Sequence, residues 1–411
     1  MSFVKKAVNT TPIEDTVFAI VAKAAAAKKQ YGKDQVVDAT IGSLYDENGK
    51  LVALQSVFTP YDAIEKERKA KYAGSFSGNS DYRRQVYEWL FHDHPLPLAH
   101  SVIATPGGTG AVNLTLSQCL DTGECVVLPK IAWGSYQLMA TMANLRVRTY
   151  SLFQGDHFDL NSFKDACREV IAQQNKLVAV LNDPCHNPTG YSLSDEEWQE
   201  VITFLNECGK KVPVVLLNDI AYIDYAYDLE QSRAYMEHFR DINDQVMIII
   251  AFSCSKSLTS YGLRCGAAVL LAKSQEAVRE GEIVFEKAAR ALWSNIPNAA
   301  MDNFTYVTTE NCDAYLAEKQ EYIQLLKQRS DIFMKDAKAV GLPCYPYKEG
   351  FFITIKMEDN ERRDRYHEAL MNRLIFTVKV NEGIRVAICS LSVSDCHGLA
   401  IVMKEILDTI D

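Results

Sequence analysis

A lysine at the end of a strand-like apolar run is the residue in this sequence best suited to do chemistry. The run from Val246 to Phe252 is apolar throughout and bounded by polar residues, which is typical of a buried strand. Lys256 follows it, among serines and a threonine. An unpaired ammonium in such a place is energetically costly or acquires a lowered pKa. An amine there suits a covalent bond to a carbonyl cofactor, and the ordinary alternative is a solvated loop lysine.

An arginine and a glycine turn suggest that an anion binds beside this lysine. Arg264 lies eight residues after Lys256, and Ser253 lies three residues before it. Guanidinium and hydroxyl groups together suit a phosphate. Gly108 and Thr109 lie in a glycine turn that opens a helical pattern, where free backbone N–H groups favour an anion. This turn lacks the Gly-Lys-Ser/Thr ending of a Walker loop, and glycine turns are common, so alone it indicates little.

Two further strand-like runs lead into polar residues. The run 177–181 leads into Asn187, within an Asn-Pro-Thr-Gly sequence that is chemically a tight turn. The run 212–217 leads into Asp219, and Tyr222 follows three residues later. A buried carboxylate at a strand end needs a cationic partner, and a protonated pyridine nitrogen would suit. Tyr222 is then placed to hydrogen-bond the neighbouring oxygen of such a ring.

The elements that must position these residues alternate along the middle of the chain. Apolar runs recur there, and segments with helical character lie between most of them. The clearest helix runs from Ser194 to Cys208, where Ser194 and Glu197 form a capping box. This alternation predicts an α/β fold with a mainly parallel sheet, helices on both faces and ligands near the strand C-termini. The predicted strands are 125–128, 177–181, 212–217, 246–252 and 266–271.

The chain is long enough for more than one hydrophobic core. A length of 411 residues predicts two domains, or one large and one small. Beyond about residue 300 the pattern changes to a long helix within 310–341 and strands at 351–355 and 384–388, which indicates a smaller α+β unit. We expect an N-terminal arm and small-domain segment at 1–50, a large domain at 51–300 and a small C-terminal domain at 301–411.

Composition and charge argue against several classes of function. The net charge of −10 disfavours nucleic-acid binding as a main role. No apolar run approaches the roughly 20 residues that cross a bilayer, and residues 1–6, which precede a helix predicted over 13–31, lack the apolar core of a secretion signal. The 11 cysteines show no zinc-like spacing, which favours reduced thiols and a cytoplasmic location. No metal is expected at His92-Asp93-His94, because further ligands do not lie nearby.

The order of the polar residues resembles that of the fold-type I pyridoxal-phosphate enzymes, and most closely the aspartate and aromatic aminotransferase family. The resemblance rests on Asn-Pro-Thr-Gly, then Asp-x-x-Tyr, then Ser-x-x-Lys with an arginine eight residues on. It covers the chain from about Ala39 to Ala387. It implies a seven-stranded, mainly parallel sheet in the large domain, pyridoxal 5'-phosphate as cofactor and a homodimer with shared active sites.

The resemblance also implies how the cofactor is held. Lys256 is the catalytic residue, bonded to the cofactor at rest and later moving a proton of the substrate. Asp219 pairs with the pyridine nitrogen, while Tyr222 and Asn187 contact the phenolic oxygen of the ring. Trp133 resembles the tryptophan that stacks on the ring, with a core aromatic as the ordinary alternative. The phosphate is expected to contact Gly108, Thr109, Ser253 and Arg264, and Tyr72 of a neighbouring subunit.

Substrate-binding residues follow from the same resemblance. Arg385, in Gly-Ile-Arg-Val-Ala, resembles the arginine that holds an α-carboxylate through two hydrogen bonds, and Gly42 would contribute backbone nearby. Trp133 and Asn187 are expected to contact substrate as well as cofactor. Arg290 resembles the arginine that binds a side-chain carboxylate from across the dimer interface, which would favour aspartate and glutamate. Its ordinary alternative is a surface arginine in the last turn of a helix.

Two positions depart from the family pattern. Tyr136 stands where a histidine usually backs the aspartate, and a tyrosine hydroxyl donates a hydrogen bond without carrying charge in the same way. Gly107 stands where many members have a serine. Neither change removes a core catalytic group, and both bear on the electronics or the affinity of the cofactor.

The activity that the resemblance implies is transfer of an amino group between an L-amino acid and a 2-oxo acid by a ping-pong mechanism. Aspartate, glutamate or aromatic amino acids are the expected donors, with 2-oxoglutarate as acceptor. Another fold-type I enzyme, such as a C–S lyase or a decarboxylase, is the alternative, because substrate orientation decides which bond breaks. A transcription regulator with an aminotransferase-like domain is disfavoured, since only about 40 residues precede Gly42 and the chain is acidic.

Overall fold

The computed structural model describes residues 3–4, 10–11, 16–92 and 95–410. The first residues of the helix predicted over 13–31, together with Asp93 and His94, lie outside these ranges. Within them, no helix is both long and apolar enough to cross a membrane.

Sixteen α-helices and fourteen strands form in the described ranges. The helices are α1 Thr16–Tyr31, α2 Gln55–Ala63, α3 Lys66–Ala70, α4 Ser80–Phe91, α5 Gly107–Cys119, α6 Ser135–Met142, α7 Leu160–Ile171, α8 Asp195–Gly209, α9 Gln231–Ala234, α10 Cys254–Ser257, α11 Gln275–Leu292, α12 Asn298–Thr308, α13 Cys312–Val340, α14 Asn360–Asn372, α15 Val393–Cys396 and α16 Leu399–Asp408. The strands are β1 Val37–Asp38, β2 Ala99–Thr105, β3 Cys125–Pro129, β4 Arg146–Tyr150, β5 Phe153–Gln154, β6 His157–Phe158, β7 Leu177–Asn182, β8 Val214–Asp219, β9 Val246–Ser253, β10 Gly266–Ala272, β11 Phe352–Lys356, β12 Ile375–Phe376, β13 Val378–Val380 and β14 Gly383–Ala387.

A seven-stranded sheet in the order β2-β10-β9-β8-β7-β3-β4 forms the centre of the molecule. β10 runs antiparallel to β2 and β9, and the other neighbouring pairs are parallel. Every residue of β7 and β8 is buried, as expected for a parallel sheet covered on both faces. Leu216 packs in the core on one face and Leu217 in the core on the other. The predicted α/β fold with a mainly parallel seven-stranded sheet is confirmed.

Two strands of this sheet were not predicted, for different reasons. β4 lies at the sheet edge and exposes Arg146 and Arg148, so it has no continuous apolar run. β2 starts with residues that are not fully buried, which shortens its apolar stretch. The helix predicted from Ser194 is observed as α8, with the reciprocal hydrogen bonds of the capping box between Ser194 and Glu197.

A second core lies around the small antiparallel sheet β11-β14-β13. β1 pairs with β12 in parallel, so the segment near residue 38 joins the C-terminal part of the chain. Helix α13 contributes Ile323 and Leu326 to the large core and Phe333 and Ala337 to the small one. This helix therefore joins the two cores. The predicted domain boundaries at residues 50 and 300 stay a prediction.

The Asn-Pro-Thr-Gly turn is held against the small sheet. Gly190 has a φ of +70°, and its carbonyl oxygen accepts hydrogen bonds from the backbone N–H groups of Lys348 and Glu349 at 2.8 and 3.0 Å. A Cβ added at Gly190 would lie 2.4 Å from the ring of Tyr347 and 2.5 Å from the carbonyl oxygen of Phe352. Only glycine therefore allows the turn and the small sheet to approach this closely.

We predict that Gly190→Ala lowers the free energy of unfolding more than Gly123→Ala does. Both glycines have positive φ, but a Cβ added at Gly123 would lie more than 4 Å from every described atom outside its own residue and its two chain neighbours. Both variants carry backbone strain of about 1 kcal/mol, whereas only Gly190→Ala adds an overpacking cost of about 1–3 kcal/mol. Denaturant unfolding curves measure the difference, and equal losses in the two variants would contradict it.

Candidate active site

The ends of the central strands bring the predicted residues to one edge of the sheet. Asp219 ends β8, which lies beside β9 and its last residue, Ser253. Asn182 ends β7 and pairs with Asp219. On the other side of β9, Gly266 of β10 pairs with both Ser253 and Thr105, the last residue of β2. The sheet register therefore assembles the site from segments far apart in sequence.

Lys256 lies at the centre of this edge, in the short helix α10 directly after β9. Its Nζ donates a hydrogen bond to the carbonyl oxygen of Gly42 at 3.0 Å. It also lies over the rings of Tyr261 and Tyr222, 4.8 and 5.5 Å from their centroids. Tyr222 is buried, and its burial raises the pKa of its hydroxyl. The amine is thus enclosed by a backbone oxygen and two aromatic rings.

The surroundings of Lys256 favour the neutral amine. Burial, with help from the positive charges of Arg385 and Arg264, lowers the pKa of Lys256 to about 8. Cys389 is close to the same group, but burial raises the pKa of its thiol to about 12, and its Sγ donates to the carbonyl oxygen of Ile41 at 3.5 Å. A neutral lysine amine is a nucleophile and a proton acceptor.

Asp219 is buried and held by two neutral donors. The hydroxyl of Tyr136 donates to its Oδ2 at 2.5 Å, and the backbone N–H of Ala221 donates to its Oδ1 at 3.1 Å. Burial raises the pKa of Asp219, and these two hydrogen bonds oppose the rise. Burial also raises the pKa of Tyr136 well above its usual value, so its hydroxyl keeps its proton. The carboxylate is therefore oriented, and a cation brought beside it would be stabilised.

Asn187 and Arg385 meet beside these groups. The backbone N–H of Asn187 donates to Oδ1 of Asn182 at 2.7 Å, and its side-chain oxygen accepts from Nη1 of Arg385 at 3.3 Å. Nη2 of Arg385 donates to the carbonyl oxygen of Thr40 at 2.9 Å, and the guanidinium lies 4.4 Å from the ring centroid of Phe352. Within the described residues its buried Nε has no hydrogen-bond partner. Arg385 therefore has donors free for an anion.

Arg264 contacts the turn at Pro106 and Gly107, which follows the last residue of β2. Its Nη1 donates to Oγ of Ser255 at 3.1 Å and to the carbonyl oxygen of Tyr261 at 2.7 Å. Its Nη2 donates to the carbonyl oxygen of Pro106 at 3.2 Å. A Cβ added at Gly107 would lie 2.8 Å from that Nη2. The serine that many members of the resembled family carry at this position would therefore collide with the guanidinium as it is placed here.

The first turn of α5 completes this side of the site. Gly108 and Thr109 lie in that turn, where backbone N–H groups have no partner inside the helix. A Cβ at Gly108 would lie 3.3 Å from Cβ of Ser253, so the turn and the β9 end are in contact distance. Helix N–H groups, a serine hydroxyl and a guanidinium can bind a phosphate together.

Two further predicted residues, Trp133 and Gly42, lie beside the group formed by Lys256, Asp219 and Tyr136. Trp133 is half-buried, and its ring lies 5.4 Å from that of Tyr136 at an angle of 81°. Gly42 lies between the Lys256 amine and Phe352, since a Cβ there would be 2.8 Å from the Phe352 ring. Trp133 therefore lies beside the tyrosine that contacts Asp219, and Gly42 lies beside the Lys256 amine.

Tyr72 and Arg290 are placed differently. Tyr72 is 82% exposed. Arg290 lies in the last turn of α11, donates to Oγ of Ser294 and lies 4.7 Å from the ring centroid of Phe76. In the described part of the chain, no hydrogen bond or ring contact joins Tyr72 or Arg290 to Lys256, Asp219 or Arg264. Within one chain, the structure does not bring them into the site.

Tyr261 and Cys389 lie near Lys256, although the sequence predicts no role for either. The hydroxyl of Tyr261 accepts a hydrogen bond from the backbone N–H of Leu44 at 2.9 Å, while its ring faces Lys256. Tyr261 could have been predicted from sequence, because it lies only five residues after Lys256. Cys389 approaches through β14 and the small sheet, and no local pattern marks it.

Replacing Tyr136 tests how Asp219 is held. We predict that Tyr136→Phe raises the pKa of Asp219 in the cofactor-free protein, because it removes the donor that opposes the effect of burial. Carboxyl-carbon NMR of labelled aspartate, followed through a pH titration, measures this pKa.

The matched control is Tyr366→Phe. Tyr366 is also fully buried and donates to a backbone oxygen, that of Met403, at 2.8 Å in the small core. It should leave the Asp219 titration unchanged. An Asp219 signal that behaves identically in Tyr136→Phe and wild type would show that the tyrosine does not control the carboxyl.

Comparison with known proteins agrees with this geometry. The family model for aminotransferase class I and II matches residues 34–400. The aspartate aminotransferase of Salmonella typhi is 28% identical over 263 residues, which cover 62% of this chain and 64% of that enzyme. The chain thus matches less than two thirds of the length of this relative.

Solved structures extend the likeness over the whole chain. An aminotransferase from Anaerococcus prevotii is 35% identical, with a TM-score of 0.95 and coverage of 100% of both chains. The aromatic-amino-acid aminotransferase of Burkholderia pseudomallei, solved covalently bound to pyridoxal phosphate, shares the fold at 21% identity and a TM-score of 0.80, covering 99% of this chain and 100% of that one. The family match over residues 34–400 and the 35% identity over the full length together show that this chain belongs to the class I and II aminotransferases.

Proposed function

We propose that this protein is a pyridoxal-phosphate-dependent aminotransferase that moves an amino group between an L-amino acid and a 2-oxo acid. One observation carries the proposal. The Lys256 amine, with a pKa lowered to about 8 by burial, lies at the strand edge that also presents Asp219 and Arg264. These three groups match the aldehyde, the pyridine nitrogen and the phosphate of this cofactor, and the family membership supports the same assignment.

The residues present fit the cofactor. Asp219 is a buried carboxylate whose donors are neutral, so a protonated ring nitrogen would supply its missing cation. Arg264, Ser253, Gly108 and Thr109 would hold the phosphate from one side. Tyr222, Asn187 and Trp133 would contact the ring, in the roles that the family resemblance gives them. When bound, pyridoxal phosphate supplies an electron sink for negative charge at the substrate Cα.

In this proposal each step of proton and substrate handling belongs to a residue of the chain. Lys256 Nζ would hold the cofactor at rest and, once released from it, would move the proton from the substrate Cα to C4′ of the cofactor. Arg385 binds the α-carboxylate through its unused N–H donors, including the buried Nε. Gly42 and Asn187 flank that carboxylate. Burial raises the pKa of Tyr222, so its hydroxyl stays protonated. It would therefore donate a hydrogen bond and carry no charge.

A homodimer with shared active sites is part of the proposal. Tyr72 and Phe76 are large side chains that are 82% and 41% exposed, and the Arg290 guanidinium lies against Phe76. An exposed aromatic and an arginine that miss the site of their own chain suit a site in a second copy, where Tyr72 would contact the phosphate. A cytoplasmic location is supported by the 11 cysteines, all of them free thiols.

The substrates proposed are aspartate, glutamate or aromatic amino acids, with 2-oxoglutarate as acceptor. The test is a panel of amino acids and 2-oxo acids supplied to purified protein with pyridoxal phosphate, with product keto acids identified by mass spectrometry. We expect transfer with ping-pong kinetics in wild type and none above background in Lys256→Ala. Pyruvate and ammonia or sulfide, or carbon dioxide, as sole products would instead indicate a C–S lyase or a decarboxylase.

Arg290→Ala tests whether Arg290 binds the side-chain carboxylate of the substrate. If Arg290 binds it, kcat/KM for aspartate and glutamate falls by about 10²–10³, as for loss of a charged pair, while kcat/KM for phenylalanine changes little. Arg279→Ala is the control, because Arg279 is an exposed arginine of the same helix, paired with Glu282. An unchanged preference for dicarboxylates in Arg290→Ala would remove the role of Arg290.

A further inference from the structure

A second buried lysine lies behind the catalytic one. Lys319, in α13, is 0% exposed. Its Nζ donates to the carbonyl oxygen of Ser257, the residue directly after Lys256, and to the hydroxyl of Tyr315 at 2.8 Å. Tyr315 in turn donates to the same Ser257 oxygen at 2.7 Å. Two side chains of one long helix therefore converge on a single carbonyl of the helix that carries Lys256.

The charges around Lys319 are also buried. Its Nζ lies 4.3 and 4.9 Å from the ring centroids of Tyr225 and Tyr315. The neighbouring carboxylate, Asp224, forms an ion pair with Arg233 and accepts from Nε1 of Trp89 at 3.2 Å. Burial lowers the pKa of Lys319 to about 7, with Arg233 acting in the same direction and Asp224 against it.

Stability of the fold alone does not explain why a lysine is buried at position 319. Burying an amine without a dedicated carboxylate costs free energy that an apolar side chain of similar size would avoid. Asp224 already has Arg233 as its ion-pair partner and Trp89 as a hydrogen-bond donor, and Lys319 adds only a second nearby positive charge. Both hydrogen bonds of the Lys319 amine, to the Ser257 oxygen and to the Tyr315 hydroxyl, instead serve the contact with α10.

That oxygen matters because α10 is short. It comprises only four residues, Cys254–Ser257, so few internal hydrogen bonds fix its backbone. The direction of the Lys256 side chain, and its contact with Gly42, depend on that backbone. The two hydrogen bonds to the Ser257 carbonyl therefore restrain α10.

We propose that Lys319 is a positioning residue, which fixes α10 through the Ser257 carbonyl and thereby keeps the Lys256 amine enclosed and aimed into the site. The proposal rests on the proposed function for its kinetic consequence, but the placement of Lys256 can be measured without it. It also connects the site to α13, whose other end packs in the small core through Phe333 and Ala337.

The test compares Lys319→Met, which keeps the volume and removes the donor, with Lys319→Gln, which keeps an N–H donor. Lys327→Met, at a partly exposed position of the same helix where the lysine pairs with Asp331, is the control. The first readout is acylation of Lys256 as a function of pH in cofactor-free protein, mapped by peptide mass spectrometry. The second is the separation of kcat from KM in the holoenzyme, alongside the unfolding midpoint.

In Lys319→Met we expect Lys256 to become accessible to water, so its acylation midpoint rises from near pH 8 by about one unit toward the ordinary lysine value. We expect kcat to fall about tenfold with little change in KM. Lys319→Gln should recover part of both effects, and Lys327→Met should match wild type.

Several outcomes overturn the proposal. A folded Lys319→Met with the wild-type midpoint and kcat does so, and so does a Gln variant no better than Met. If Lys319→Met does not fold, Tyr315→Phe removes the other donor to the same oxygen, and it must shift the midpoint upward or the proposal fails. A shifted midpoint in a protein without transfer activity would reject the proposed function and leave the role of Lys319 intact.

Discussion

The burial of a lysine amine at the end of a parallel strand is the constraint on which the site depends. Lys256 lies close to the positive charges of Arg385 and Arg264, and burial together with these charges lowers its pKa to about 8. Both guanidinium groups add positive charge to the site. The site therefore holds an amine that loses its proton more easily than an ordinary lysine does, and anionic groups such as phosphate and carboxylate complement its positive charges.

The rest of the fold serves to keep that amine in place. Parallel strands β7, β8 and β9 bring Asn182, Asp219 and Ser253 to one edge, and the neutral hydroxyl of Tyr136 orients the carboxylate. The small sheet brings Arg385 into the site from the other side, through its contacts with Asn187 and Thr40. Helix α13 packs in both cores and contacts the Ser257 carbonyl through Lys319, so it connects the small core to the site.

Much of this arrangement follows from sequence, because strands buried on both faces leave apolar runs and their polar ends mark the site. Lys256, Asp219 and Asn187 were found in this way. Tertiary contacts between distant segments leave no such mark, which is why Cys389 beside Ile41, and Lys319 beside Ser257, were not predicted. The edge strand β4 was missed because its exposed arginines interrupt the apolar pattern.

The most direct test of the account is to find which lysine carries the cofactor. Purified holoenzyme would be reduced with borohydride, which fixes a cofactor bonded to an amine, then digested and mapped by mass spectrometry. The account predicts that the added cofactor mass is found on the peptide containing Lys256 and on no other. Cofactor on Lys319, the other buried lysine with a lowered pKa, or on no lysine at all, would contradict it.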